Sequence, residues 1–234
     1  LKEVKSNNIE EEEIELSQSY PNYVSAKSTK SIISQYITKW NTTIIIANIL
    51  IYIIIGIISR YKGDERLVWL GAIYWPTIVH SNEFYRLLTY MFLHSNISHL
   101  ANNMLVLFFL GDNLERAVGK WRFLLMYFGS GIIAGIVSMS YNMFNEFNVI
   151  SIGASGAIFG VVGAMVNIII RNKGRLENIS TRQMVLFVVF SLYGGLTSQG
   201  IDNAAHIGGL ISGFLIAAVI YRTPKKKNNY VRGV

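Results

Sequence analysis

Six long apolar segments follow one another along the chain after a polar start. They cover residues 43–59, 99–114, 121–141, 151–170, 183–199 and 203–221. A helix needs about 17 to 25 mostly apolar residues to cross a bilayer, and only the second segment is short, with polar residues in its first turn. The pattern predicts an all-α fold, namely a polytopic membrane helical bundle of six transmembrane helices.

The connections between these segments predict how the chain is organised. Residues 1–40 are expected to form a cytoplasmic N-terminal tail, with a short interfacial helix near "TKSIISQYITKW". Residues 41–222 would form the membrane domain, and residues 223–234 a basic cytoplasmic C-terminal tail. The first loop, about 60–98, is long, aromatic and amphipathic, which is typical of a segment lying in the outer interface. The loop "RNKGRLENISTR" at 171–182 carries a glycine turn signal.

Composition and charge fit a membrane protein. The chain is 51% hydrophobic and 15% charged, with a mean hydropathy of +0.36. Most of the 21 Lys and Arg lie in the two tails and in alternate connections. The positive-inside rule therefore predicts a multi-pass protein of the cell (plasma) membrane with both termini cytoplasmic. The net charge of +7 then reports topology and contact with the lipid bilayer, and no nucleic acid partner is expected.

Two further features exclude other classes of protein. The acidic run Glu10–Glu13 precedes the first apolar segment, which argues against a cleavable signal peptide. The chain has no cysteine, so disulfides, thiol nucleophiles and thiolate metal sites are excluded.

Polar side chains inside the predicted spans concentrate in three of them. The second begins in "HSNISHLANN", the fourth holds Ser155, and the sixth begins with "DNAAHIGG". His99 and Asn103 are four residues apart, so they share one helix face. Ser155 and Phe159 have the same spacing, which would let the ring pack on an imidazole from a neighbouring helix. On the sixth span, Gly209 and Gly213 form a small-xxx-small pattern that permits close helix approach.

These residues allow two interpretations. Taken alone, Ser155 is typical of a packing serine, and a lone membrane histidine of a packing or proton-path residue. Taken together, Ser155, His206 and the His99/Asn103 pair supply a nucleophile, a base and an oxyanion hole, which are the parts of an acyl-transfer site.

Other hydrolytic sites do not fit the sequence. There is no H-E-x-x-H zinc motif, no aspartyl pair and no G-x-S-x-G nucleophile elbow. The sequence therefore predicts neither a metal nor an organic cofactor.

The combined pattern resembles the rhomboid family of intramembrane serine proteases over roughly residues 43–221. The matching pieces, in the family's order, are "YRLLTYMFLH", "HSNISHLANN", "ERAVG", "GASG" and "AHIGGLISG". One departure is Tyr85 before Arg86, where the family usually has Trp.

The resemblance implies a role for each matching residue. Ser155 would be the nucleophile and His206 the base, as a dyad without an acid. The oxyanion hole would consist of Asn103, His99 and the backbone N–H of Ser155. The auxiliary positions would be Gly153 at the oxyanion, Phe159 packed on the catalytic histidine and His94 supporting the first loop. The pair Glu115 and Arg116 would tie helix ends together. Asp202 lies outside the matching pieces, four residues before His206. It could serve as the acid of a triad or as a cap or loop anchor, and we expect the dyad.

The function predicted from sequence is thus a serine endopeptidase that cleaves transmembrane segments of membrane proteins near the outer face. Its partners would be membrane proteins with a transmembrane helix. Two alternatives stay open at this point: a catalytically inactive rhomboid-like protein that binds membrane proteins, and a polytopic transporter. The transporter is disfavoured because no internal repeat is visible.

Overall fold

A computed structural model describes residues 38–62, 70–176, 179–197 and 200–222. The chain divides into two units, Leu1–Lys39 and Trp40–Val234, and the second contains almost all of the described residues. The C-terminal tail and all but the last three residues of the predicted interfacial helix lie outside the described ranges.

Helices account for most of this described part. In chain order they are α1 (Lys39–Lys62), α2 (Trp75–Ser81), α3 (Arg86–Thr89), a 3₁₀ turn (Tyr90–Phe92), α4 (Ile97–Val106), a π-helical turn (Leu107–Gly111), α5 (Asp112–Val118), α6 (Lys120–Phe144), α7 (Ser155–Arg171), α8 (Thr181–Thr197) and α9 (Asn203–Ile220). Each of the six predicted spans falls on one of these helices, the second on the continuous run from α4 to α5. The prediction of an all-α membrane bundle is confirmed.

The lengths and compositions of the helices agree with a membrane-embedded protein. Three are long and apolar enough to cross a bilayer, at Lys39–Tyr61, Lys120–Phe144 and Asn203–Ile220, and α7 is a shorter apolar helix. Large apolar side chains on the bundle's outside, such as Ile57, Phe190 and Val219, are more than 60% exposed. Such surfaces require a lipid environment, because a soluble protein rarely leaves them uncovered.

The only strands among the described residues form a short hairpin in the loop between α7 and α8. Strand β1 (Arg175–Leu176) pairs antiparallel with β2 (Ile179–Ser180). The chain turns into it through Lys173 and Gly174, which both have positive φ angles. The glycine turn signal was therefore correct, whereas the strand pairing was not predicted.

The centre of the bundle is a glycine-lined contact between α7 and α9. Helix α9 packs most extensively against α7 and next against α6. A Cβ atom built on Gly209 or on Gly213 would collide with the backbone carbonyl of Gly156 or of Gly160, respectively. The two helices touch backbone to backbone, as the small-xxx-small pattern predicted.

The end of α5 is tied to the start of α1 by a buried carboxylate. The backbone N–H of Asn41 donates to Glu115 Oε2 at 2.7 Å, and that of Trp40 donates to Oε1 at 3.3 Å. These two groups belong to the first turn of α1, where backbone N–H groups have no carbonyl partner within their own helix. Arg116 forms an ion pair with Asp112 within α5. Glu115 therefore ties α5 to the start of α1, as expected for it, whereas the ion pair of Arg116 lies within a single helix and does not test the role expected for that residue.

Candidate active site

Ser155 and His206 meet across the glycine-lined contact. Ser155 is the first residue of α7 and His206 lies in the first turn of α9. Ser155 Oγ is 2.9 Å from His206 Nε2, which is hydrogen-bond distance. Because the two helices are in backbone contact just below this pair, short side chains suffice to bring a hydroxyl and an imidazole together.

The imidazole of His206 is stacked on an aromatic ring of the neighbouring helix. The ring centroids of Phe159 and His206 are 4.2 Å apart, with an interplanar angle of 13°. Phe159 lies one helical turn after Ser155, so the same face of α7 carries both the hydroxyl and the ring that stacks on the imidazole of His206. His206 is 8% exposed, and the stacking leaves its ring little room to rotate.

The other ring nitrogen of His206 is not hydrogen-bonded to an acid in the part of the chain that the structure describes. His206 Nδ1 is buried without a hydrogen-bond partner among the described residues. The carboxylate of Asp202 is engaged elsewhere, because Oδ1 accepts the backbone N–H of Ala205 at 2.9 Å and Oδ2 accepts from Ser138 Oγ. Asp202 is therefore an N-cap of α9 and an anchor to α6. The pair has the geometry of a dyad.

Two side chains from α4 converge on the backbone just before Ser155. A Cβ built on Gly153 would lie 2.7 Å from His99 Nε2 and 3.7 Å from Asn103 Nδ2. Asn103 is 7% exposed, and its Nδ2 is a buried donor without a partner among the described residues. A buried amide donor left unpaired is unfavourable, so this atom is available to an acceptor that arrives with a ligand. Gly153 itself has φ +125°, a conformation essentially restricted to glycine.

The backbone N–H of Ser155 adds a third donor to this region. Ala154, the N-cap of α7, contributes no side-chain cap, and first-turn N–H groups have no carbonyl partner within their own helix. The positive end of the α7 dipole lies there as well, and it favours negative charge. Gly153 thus lies beside two side-chain nitrogens, His99 Nε2 and Asn103 Nδ2, and just before the N-terminal end of α7.

His94 and His99 pack against each other at the start of α4. Their ring centroids are 5.0 Å apart in an edge-on arrangement, and His94 is 2% exposed. Burial, and secondarily the charge of His99, lower the pKa of His94 from 6.5 to about 4. His94 is therefore neutral at neutral pH, and its ring supports that of His99.

Several residues that the sequence did not single out hold the loop before Ser155. The carbonyl of Tyr90 accepts the N–H of Gly153 at 2.9 Å, and the Tyr90 hydroxyl donates to Gly131 O at 2.7 Å. Ile73 and Ser151 form an isolated antiparallel bridge with bonds of 2.9 and 3.0 Å. The first loop is therefore joined directly to the segment that carries Gly153.

A polar cluster and a cavity lie at the rim of the site. Ser138 Oγ is 3.2 Å from Ser151 Oγ and also bonds Asp202. A cavity of about 640 Å³ borders Ser151, Asp202 and Asn142, and neither Ser155 nor His206 is among the residues that line it. Among the described residues, no group of three His, Cys, Asp or Glu side chains could hold a metal ion. The chemistry that this arrangement can perform is nucleophilic attack by a hydroxyl, with an adjacent base and preorganised N–H donors.

Comparisons with known proteins place the chain in one family. A family model described as the rhomboid domain matches residues 81–223. The rhomboid protease GluP of Bacillus subtilis (strain 168) is 36% identical over 172 residues, which cover 74% of this chain and 33% of the relative. RHOMBOID-like protein 7 of Arabidopsis thaliana is 37% identical over 164 residues, 70% of this chain and 51% of the relative.

A further relative is covered over most of its length. The rhomboid protease AarA of Providencia stuartii is 33% identical over 208 residues, 79% of this chain and 73% of the relative. The chain spans only a third and about half of the lengths of GluP and the Arabidopsis protein. The matched domain includes every residue of the site from His94 to His206, and this chain belongs to the rhomboid family.

Proposed function

We propose that this chain is an intramembrane serine endopeptidase that cleaves transmembrane segments of membrane proteins near the outer face. The observation that carries the proposal is the 2.9 Å contact between Ser155 Oγ and His206 Nε2. Membership of the rhomboid family and relatives that are named rhomboid proteases support it.

The proposed reaction begins at the dyad. His206 Nε2 accepts the proton of Ser155 as Oγ attacks the carbonyl carbon of the scissile peptide bond. The resulting tetrahedral oxyanion takes hydrogen bonds from Asn103 Nδ2, His99 Nε2 and the N–H of Ser155. The protonated His206 then gives its proton to the leaving amine as the C–N bond breaks, and an acyl-enzyme forms on Ser155. Water, deprotonated by His206, hydrolyses that ester and restores the serine.

The side of the membrane that the proposed site faces can be inferred from the direction of its helices. Helices α4, α7 and α9 are alternate spans, so they run in the same direction, and the proposed catalytic residues all lie within about two turns of their first residues. With the termini in the cytoplasm, as the positive-inside rule predicts, those ends face outward. The cavity beside Ser151 and Asp202 lies at the same end of α9, and we expect water to enter from that side.

The substrate class follows from the same geometry. A transmembrane helix hides its carbonyls in its own hydrogen bonds, so it must unwind locally before Ser155 can reach one. Small or helix-breaking residues near the outer face would make that unwinding easier. We therefore expect single-span membrane proteins with such residues to be cleaved.

The test uses the purified full chain in proteoliposomes with a model single-span substrate and a fluorophosphonate probe for serine nucleophiles. Wild type should cleave the substrate and take the label on Ser155, and S155A and H206A should do neither. S140A is the matched control, since Ser140 is a serine of α6 outside the site, and it should behave as wild type. Cleavage by S155A would refute the assignment of the nucleophile. Substrate capture without cleavage or labelling would indicate an inactive binding protein, and solute flux without either would indicate a transporter.

A further inference from the structure

The Nδ1 atom of His99 contacts a residue that lies just before α4. Ser95 Oγ lies 3.2 Å from His99 Nδ1, while Nε2 is the nitrogen that faces Gly153. Asn96 is the N-cap of α4, and its Oδ1 accepts the backbone N–H of His99 at 2.8 Å. The amide of Asn96 also donates from Nδ2 to Ser95 Oγ at 3.2 Å.

These contacts give the hydrogen bonds a direction. An amide has one oxygen and one nitrogen, and the backbone N–H of His99 requires the oxygen on its side. The Asn96 nitrogen therefore faces Ser95 and donates to its oxygen. A hydroxyl that accepts such a bond becomes a stronger donor, and the nearest acceptor for the Ser95 proton is His99 Nδ1.

The direction matters because a neutral imidazole carries only one N–H. If Nδ1 accepts from Ser95, the ring proton resides on Nε2, the atom that faces the oxyanion position. If the proton were on Nδ1, Nε2 would present a lone pair to a negative charge. One tautomer of His99 stabilises the oxyanion and the other repels it.

We propose that Ser95 and Asn96 are positioning residues that hold His99 in the tautomer protonated at Nε2, through a relay from Asn96 Nδ2 to Ser95 Oγ to His99 Nδ1. The inference rests on the proposed function for its catalytic meaning, but the tautomer itself is a property of the resting protein. Ser95 and Asn96 touch no reacting atom and act only through His99.

The first experiment reads the tautomer without any substrate. The chain has four histidines, so ¹⁵N-histidine labelling of the protein in bilayers gives few resonances, and H99A identifies those of His99. Wild type should show a directly bonded proton on His99 Nε2 and an unprotonated, hydrogen-bonded Nδ1. S95A should show a mixture of tautomers, and S95T, which keeps the hydroxyl, the wild-type pattern. A proton on Nδ1 in wild type, or an unchanged spectrum in S95A, would overturn the proposal.

The second experiment measures the consequence for turnover. Losing one neutral hydrogen bond should lower kcat of S95A about two- to tenfold with KM nearly unchanged. S95T should restore kcat, and S98A, which removes an exposed hydroxyl from the same turn, should match wild type. In an N103A background the effect of S95A should persist, whereas in H99A it should vanish. Equal losses in both backgrounds would mean a merely structural role for Ser95. If the wild type cleaves nothing, the proposed function fails, while the ¹⁵N spectra still decide the tautomer.

Discussion

The substitution G153A tests the proposed oxyanion site most directly, because it adds a single methyl group. That carbon would lie 2.7 Å from His99 Nε2 and 2.9 Å from Cε1, closer than van der Waals contact permits. His99 must move away, and the N–H that the oxyanion requires moves with it. Losing one such donor costs about 2.7 to 4 kcal/mol of transition-state stabilisation, or about 100- to 1,000-fold in kcat.

The same change also strains the backbone, and the two effects must be separated. An L-residue at φ +125° costs about 1 to 3 kcal/mol of folding stability. Gly119 provides the matched control, because it has φ +81° and open space where a Cβ would be built. G119A should lower the thermal unfolding temperature by a similar amount and leave kcat unchanged.

The assay is turnover of a single-span substrate by the folded fraction of each variant in proteoliposomes, with thermal unfolding measured in parallel. G153A should lose kcat, retain substrate binding, and unfold only slightly earlier than wild type. A G153A protein that keeps kcat within about threefold of wild type would refute the assignment of His99 and Asn103 as oxyanion donors.

Three further substitutions test the neighbouring features. F159L should lower kcat about two- to tenfold because it removes the aromatic stacking on His206, which contributes about 0.5 to 1.5 kcal/mol. An F159L protein as active as wild type would contradict a positioning role for the ring. D202N should keep turnover near wild type because asparagine also caps helices. D202A should lower the free energy of unfolding by about 0.5 to 2 kcal/mol. Loss of turnover in folded D202N would instead make the carboxylate a catalytic acid. G209A should separate α9 from α7 and lower both the thermal unfolding temperature and the activity. The control G56A, on α1 with open space around it, should lower neither. A stable and active G209A protein would disprove the tight contact between the two helices.

Much of this architecture was predictable because it depends on local pattern. Apolar runs of membrane-spanning length indicated the helices, and the spacing of His99 and Asn103 placed both side chains on one face of α4. The glycines of α9 indicated the close helix contact that brings His206 to Ser155. Each of these features is encoded within a few residues, so periodicity and residue size suffice to detect it.

The remaining features depend on contacts that leave no local pattern. The bond from Gly153 to Tyr90 joins two backbone groups, so no side chain identifies it in the sequence. Ser138 resembles any packing serine of a membrane helix until Asp202, from another span, is placed beside it. Similarly, the π-helical turn at Leu107 is marked by a bond from Asn41 Nδ2 to its carbonyl, at 3.0 Å. The distances in sequence are too large for pattern alone to reveal such pairs.

The backbone contact between α7 and α9 has a consequence for how the bilayer acts on the dyad. Side chains between packed helices usually absorb small shifts by changing rotamer, but at Gly209 and Gly213 there is no side chain to do so. A bilayer whose thickness differs from the hydrophobic length of a helix changes the tilt of that helix. Such a change of tilt would therefore alter the geometry of the Ser155–His206 hydrogen bond directly. Turnover should therefore depend on lipid chain length more steeply than thermal stability does.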